Sequence, residues 1–126
     1  LLLETRGGER FNVIETRVQA NQLIVARVEV LNTTTDILCD SALAACSDML
    51  ETVISDFMDQ AREQSDAAFV NPFPEPHQLY SPGWVANRWS EMLPITLEQK
   101  QALLEIQDDG ARLIKIEQYL HENRII

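Results

Sequence analysis

The sequence predicts an α+β fold: a short antiparallel β-meander followed by a four-helix unit with one long helix. Three observations carry this. Apolar and polar residues alternate along the first thirty positions, apolar residues recur every three or four positions between Leu38 and Ala61, and Pro82, Pro94 and Thr96 punctuate two further helical stripes. The division expected is residues 1–35 for the terminal strands and 36–126 for the helical part.

Leu1 to Thr5 is a short apolar run that reads as a first strand. Arg6-Gly7-Gly8-Glu9 makes a turn, because two glycines tolerate positive φ. Phe11 to Val18 is the second strand, with Phe11 and Val13 on one face; Ile14 breaks the alternation. After a turn at 19–22, Leu23 to Leu31 is the third, with Ala26, Val28 and Val30 sharing a face against Arg27 and Glu29. Such a meander has edges it cannot close by itself; this stretch is expected to self-associate as a homo-oligomer through the β edge or a leftover apolar sheet face, both of which a longer chain would satisfy internally.

Asn32 to Asp36 offers several helix caps, and the long helix is expected from Asp36 to Gln64. Its stripe is Leu38, Ala42, Ala45, Met49, Val53, Phe57 and Ala61, widened by Leu50, Ile54 and Met58. Met49, Val53 and Phe57 are expected to face the helices that follow. Residues 65–80 form a proline-rich loop, with Pro72, Pro74 and Pro76 at alternate positions favouring extended chain. Ser81-Pro82 caps and opens the next helix, whose stripe is Trp84, Val85, Trp89, Met92 and Leu93. Pro94 stops it. Thr96 and Gln99 form a capping box for the third helix. Asp108-Asp109-Gly110 is a turn and helix start, and the last helix runs from Ala111 to about Asn123 on Leu113, Ile114, Ile116 and Leu120.

The chain has 126 residues, enough for one domain with a core, and is 45% hydrophobic and 24% charged. A net charge of −10 argues against nucleic acid or an anionic membrane surface as a partner. No apolar run approaches the ~18 residues of a membrane helix. The first residue is Leu rather than Met, which reads as the start of a fragment. Cys39 and Cys46 stand seven positions apart, about 10 Å at ~1.5 Å rise per residue, too far for a disulfide within a helix. They read as buried thiols of a reducing cytoplasm.

The stretch from Gly83 to Ile106 carries a resemblance. Its Gly83-Trp84-Val85 opening with Arg88-Trp89, the Leu93-Pro94 elbow, the Lys100-Gln101-Ala102-Leu103-Leu104 helix and the later Arg112-Leu113 are similar to the C-terminal helices of the Lon amino-terminal domain family, and Gly8-Glu9-Arg10-Phe11 is similar to a late strand of it. The form from Gly83 to Trp89 is closest to the small free-standing bacterial members. The resemblance implies that the strands here end a larger β-barrel-like half. It also implies a non-enzymatic, cytoplasmic substrate-binding module that recognises exposed or unfolded polypeptide.

No chemical signature competes with that reading. The four glycines fit neither nucleotide-binding pattern. His77 and His121 are isolated from zinc-ligand spacing, so no metal, no cofactor and no catalytic residue is expected. Trp84 and Trp89 read as core rather than as an aromatic groove. Phe69, Phe73 and Tyr80, on or beside the proline-rich loop, are the candidate protein-binding residues; they are either pinned onto the helices or available to a partner. The alternative function is a small hydrolase whose site lies in a missing N-terminal half or across a dimer interface.

Overall fold

The computed structural model describes residues 1, 3–64, 71–73 and 75–126. They divide into two compact units, residues 1–33 and 34–126.

The first unit is a hairpin. Strands β1 (Phe11–Val18) and β2 (Ile24–Val30) pair antiparallel. The turn closes through Gln19 N–H to Leu23 O at 2.8 Å and Gln22 N–H to Gln19 O at 2.9 Å, with Gln22 at φ 67. Ile14, which broke the alternation, is the extra residue of a β-bulge: Val13 lies opposite Val28, and the next pair is Glu15 with Arg27. The bulge changes the parity of β1. Phe11, Val13, Thr16 and Val18 therefore share one face with Ile24, Ala26, Val28 and Val30, and that face is apolar at every position but Thr16. The other face carries Glu15 and Arg27, paired at 3.3 Å in the open, where such a pair contributes about 0–1 kcal/mol.

The strand expected over Leu1–Thr5 is not formed in the described residues. Residues 3–10 are irregular and the sheet has two strands, not three. A bulge bends and twists its strand, and a bulged edge such as that of β1 is less suited to further pairing.

The second unit contains α1 (Asp40–Gln64), α2 (Pro82–Met92), α3 (Leu97–Glu105) and α4 (Asp109–Glu122). The expected signals open three of them. Ser81 Oγ accepts from Trp84 N at 3.4 Å, the Thr96–Gln99 capping box is reciprocal at 3.2 and 2.9 Å, and Asp108 Oδ1 accepts from Ala111 N at 2.8 Å. At the end of α4, Arg124 takes φ 56 and Ile125 N–H reaches Leu120 O at 2.8 Å, a Schellman closure.

Helix α1 begins at Asp40 rather than at the expected Asp36. The N–H groups of Asp36 and Ile37 donate to Asp108 Oδ2 at 2.6 and 3.3 Å, and Thr34 O accepts from Asp109 N at 2.8 Å. These bonds hold residues 34–37 as a short bridge to the start of α4, so the helix starts only once they are passed. The buried stripe of α1 is likewise shifted. Ala42, Cys46, Leu50 and Ile54 are buried, while Met49, Val53 and Phe57 are half-buried beside them and Leu38 is 87% exposed. The core joins that stripe to Val85, Ala86 and Trp89 of α2 and to Leu113, Ile116 and Leu120 of α4. Trp89 Nε1 donates to Cys46 O at 3.0 Å, which satisfies the indole inside the core.

A buried ion pair sits at the start of α4. Asp109 and Arg112 are 7% and 2% exposed and bonded to one another. Gly83 lies directly over Asp109, and a β-carbon there would overlap its carboxylate. The same holds for Gly110 against the carbonyl of Ile37.

Two outcomes follow. Gly83→Ala is expected to cost about 2–4 kcal/mol, because the methyl displaces a carboxylate already committed to Arg112; urea unfolding at neutral pH measures it. The Asp108 carboxyl is held below the usual carboxylate range, chiefly by the N–H of Ala111 against an opposing desolvation, with Asp36, Ile37 and Thr34 adding to the effect. Its folded-state pKa is depressed, so its stabilisation is present above the unfolded value of about 3.9 and is lost as pH falls through the folded value. D108N is therefore expected to be less stable than the parent at pH 7, with the gap closing below about pH 3.9 in urea titrations.

Candidate functional site

Helix α3 is the most lightly anchored of the four. Of its nine residues only Leu103 is buried. It is held at its start by the elbow, where Ile95 N–H turns back to Leu93 O at 2.9 Å. Lys100 Nζ also donates to Glu91 O at 2.8 Å, an open carbonyl in the last turn of α2. Between α3 and α4 this leaves a groove of about 290 Å³. Leu93 and Leu103 form its floor, Ile95, Ala102, Ile106 and Tyr119 its walls, and Gln99, Lys115, Gln118 and Glu122 its rim.

An apolar concavity with a mixed polar rim suits one or two aliphatic or aromatic side chains, and the rim amides and charges suit the peptide groups beside them. Sequence reading missed this site. Leu93 is expected in the apolar stripe of its own helix, and the sequence points to no site at Leu103, Ile106 or Tyr119. The signal available was the short α3 stripe, which has too little apolar surface to close against two neighbours.

The residues singled out from the sequence fall differently. Phe73 is 3% exposed and packs edge-on against Phe57, ring centroids 5.5 Å apart. Its N–H is taken by Asn71 Oδ1 at 2.8 Å and its carbonyl lies 3.3 Å from His77 Nε2. It is pinned onto α1. Tyr80 is 78% exposed. Phe69 lies outside the described residues. Phe73 and Tyr80 thus do not form one exposed aromatic surface. Trp84 is half-buried, with the Arg88 guanidinium 5.7 Å from its ring and His77 beside it.

Several groups that could do chemistry are held in other roles. Burial pushes the Cys46 thiol up to about 12, with Glu117 and Cys39 adding to it, and burial raises Cys39 in the same direction, helped by Asp40, Asp108 and Asp109. Both are neutral thiols at physiological pH and poor nucleophiles. The hydroxyls of Ser47, Thr52 and Ser90 donate to the carbonyls of Leu79, Asp48 and Ala86. Among the described residues no three His, Cys, Asp or Glu side chains gather into a metal-sized cluster, and no helix is long and apolar enough to cross a membrane.

The family model of the ATP-dependent protease La (LON) substrate-binding domain matches residues 1–122. Among solved structures, the crystal structure of a Lon N-terminal domain protein from Xanthomonas campestris is similar in fold, with a TM-score of 0.59 and 24% identity, over 88% of this chain and 52% of that one. The chain thus spans about half the length of that protein. No curated protein matches it.

The two aromatic positions are separable by experiment. Phe73→Ala is expected to lower stability by about 3–5 kcal/mol through loss of a buried ring, whereas Tyr80→Ala stays within about 0.5 kcal/mol of the parent. Urea midpoints of the two variants measure both.

Proposed function

Because the chain belongs to the LON substrate-binding domain family, we propose that it is a non-enzymatic polypeptide-binding module of the cytoplasm, taking apolar side chains of exposed or unfolded segments into the groove between α3 and α4. The observation that carries this reading is the groove itself: an apolar floor and walls, open to solvent, beside a helix with one buried residue. Tyr80, 78% exposed, is proposed as a second contact, with Phe69 on the same stretch of chain; Phe73, pinned against Phe57, is not part of it.

Charge favours some polypeptides over others. Residues 1–33 contain four Arg and four Glu, so the whole net charge of −10 resides in residues 34–126. A segment with apolar anchors and basic flanks would be drawn to this unit, and an acidic one repelled.

Ala102 provides the test. It lines the groove, is exposed and lies in α3, where glutamate is well tolerated. A102E fills the groove with a charge and leaves the core untouched. Excluding one apolar anchor, worth about 1.5–3 kcal/mol, is expected to weaken binding of a labelled peptide bearing Leu and Phe anchors by roughly ten- to a hundredfold. Helicity and thermal midpoint should stay at parent values. Fluorescence anisotropy measures the affinity; parent-like binding by A102E, with the same peptide, removes the groove as the site.

A further inference from the structure

We propose that Lys115 and Glu122 are the specificity-determining residues of the groove, selecting a segment whose apolar anchor stands between one acidic and one basic residue. This rests on the groove being a polypeptide site, and adds which polypeptides it takes.

Four residues of α4 line the groove: Lys115, Gln118, Tyr119 and Glu122. Their spacing of three, four and seven positions places them on one face of the helix. Along that face follow a positive charge, an amide, an aromatic ring and a negative charge. Lys115 and Glu122 are both exposed. At ~1.5 Å rise per residue they stand about 10 Å apart along the axis, too far to pair with one another. Neither has an opposite charge at helical spacing. Three and four positions from Lys115 lie Ala111, Arg112, Gln118 and Tyr119, and from Glu122 lie Gln118, Tyr119, Ile125 and Ile126.

Other helical charges here do pair at that spacing: Arg62 with Asp59, Arg88 with Glu91, and His121 with Glu117. Across the groove, Lys100 donates to the carbonyl of Glu91 and Glu105 accepts from the amide of Gln101. Glu122 also stands in the last turn of α4, at the negative end of the helix field, where a carboxylate is disfavoured. Helix stability therefore gives no account of it. A basic group seated there would meet the carboxylate and the helix end together. Lys115, in turn, admits an acidic group to a unit whose net charge would otherwise repel one.

An extended segment fits this pattern. Residues two before and two after an apolar anchor share its face, and stand about 13 Å apart at ~3.3 Å per residue. The long side chains of Lys115 and Glu122 cover the difference. Gln118, between them, can both donate to and accept from the peptide groups beside the anchor.

Two labelled peptides of one composition and one net charge test the selection. The first places Glu two residues before a central Leu and Lys two residues after it; its isomer places both after the Leu. Fluorescence anisotropy at ~0.15 M salt, where exposed charges beyond about 8 Å are screened, compares their affinities. The parent is expected to favour the bracketed peptide by about threefold, the contribution of one further exposed ion pair. K115E and E122K should each abolish that preference. The double variant K115E/E122K should restore it, since an extended segment can lie in the opposite direction. R62E changes the net charge as K115E does, but at an exposed position on α1 away from the groove, and should keep the parent preference. Equal affinities for the two peptides in the parent overturn the proposal, as does a preference that persists in both K115E and E122K; the groove then remains a polypeptide site without this selection. If neither peptide binds the parent, or A102E binds both as tightly as the parent does, the groove itself fails as the site and the selection falls with it.

Discussion

The start of α4 is the constraint on which the helical unit depends. The two carboxylates of Asp108 and Asp109 stand side by side there and do different work. Asp108 caps the helix with one oxygen and holds residues 34–37 with the other. Asp109 turns inward to Arg112 beneath Gly83. Helix N-termini favour negative charge, and two carboxylates in the first turn exploit that field twice. The buried pair is expensive to desolvate and is tolerated because each partner is bonded. Replacing one member alone would leave a charge stranded in the core. Gly83 and Gly110 are small because these contacts are close: the first admits the carboxylate of Asp109, the second the carbonyl of Ile37.

Much of the helical unit was legible because its signals are local. The capping box at Thr96, the proline at position 94 and the serine before Pro82 each act within one turn of chain, so their outcome could be read from neighbours. The hairpin of the second and third expected strands was legible in direction and pairing, with the oddity at Ile14 falling at a bulge, whereas the strand expected over Leu1–Thr5 is not formed in the described residues. What could not be read depended on distant residues. The start of α1 moved because its leading N–H groups bind a carboxylate more than seventy positions away. Whether Phe73 is pinned or available could not be decided from the loop itself, because Phe57, which holds it, lies sixteen positions away. The groove was invisible for a related reason: its residues come from the elbow and from two helices, and only their assembly leaves the space open.

The elbow at Leu93-Pro94-Ile95 links this architecture to the proposed function. By stopping α2 sharply at Met92 and starting α3 at Leu97, four residues intervening, it swings a short helix out beside α4 without enough apolar surface to seal the seam. The remaining opening lies on the most lightly buried helix, where an occupant would displace little existing packing. Firmness at the α4 start and looseness at α3 are then complementary: the rigid part fixes one wall of the groove, and the other wall has room to adjust to different side chains.

The hydrogen bond from the Trp89 indole to the carbonyl of Cys46 has an optical consequence. Trp89 is 4% exposed and its ring nitrogen is bonded within the interface of α1 and α2, while Trp84 is half-buried beside a guanidinium and an imidazole. The chain thus carries two indoles in unlike surroundings, both on α2. Emission from the enclosed one reports on the seating of α2 against α1, and the other is open to collisional quenchers. With no added label, the intrinsic spectrum separates separation of those two helices from events at the surface of the same helix.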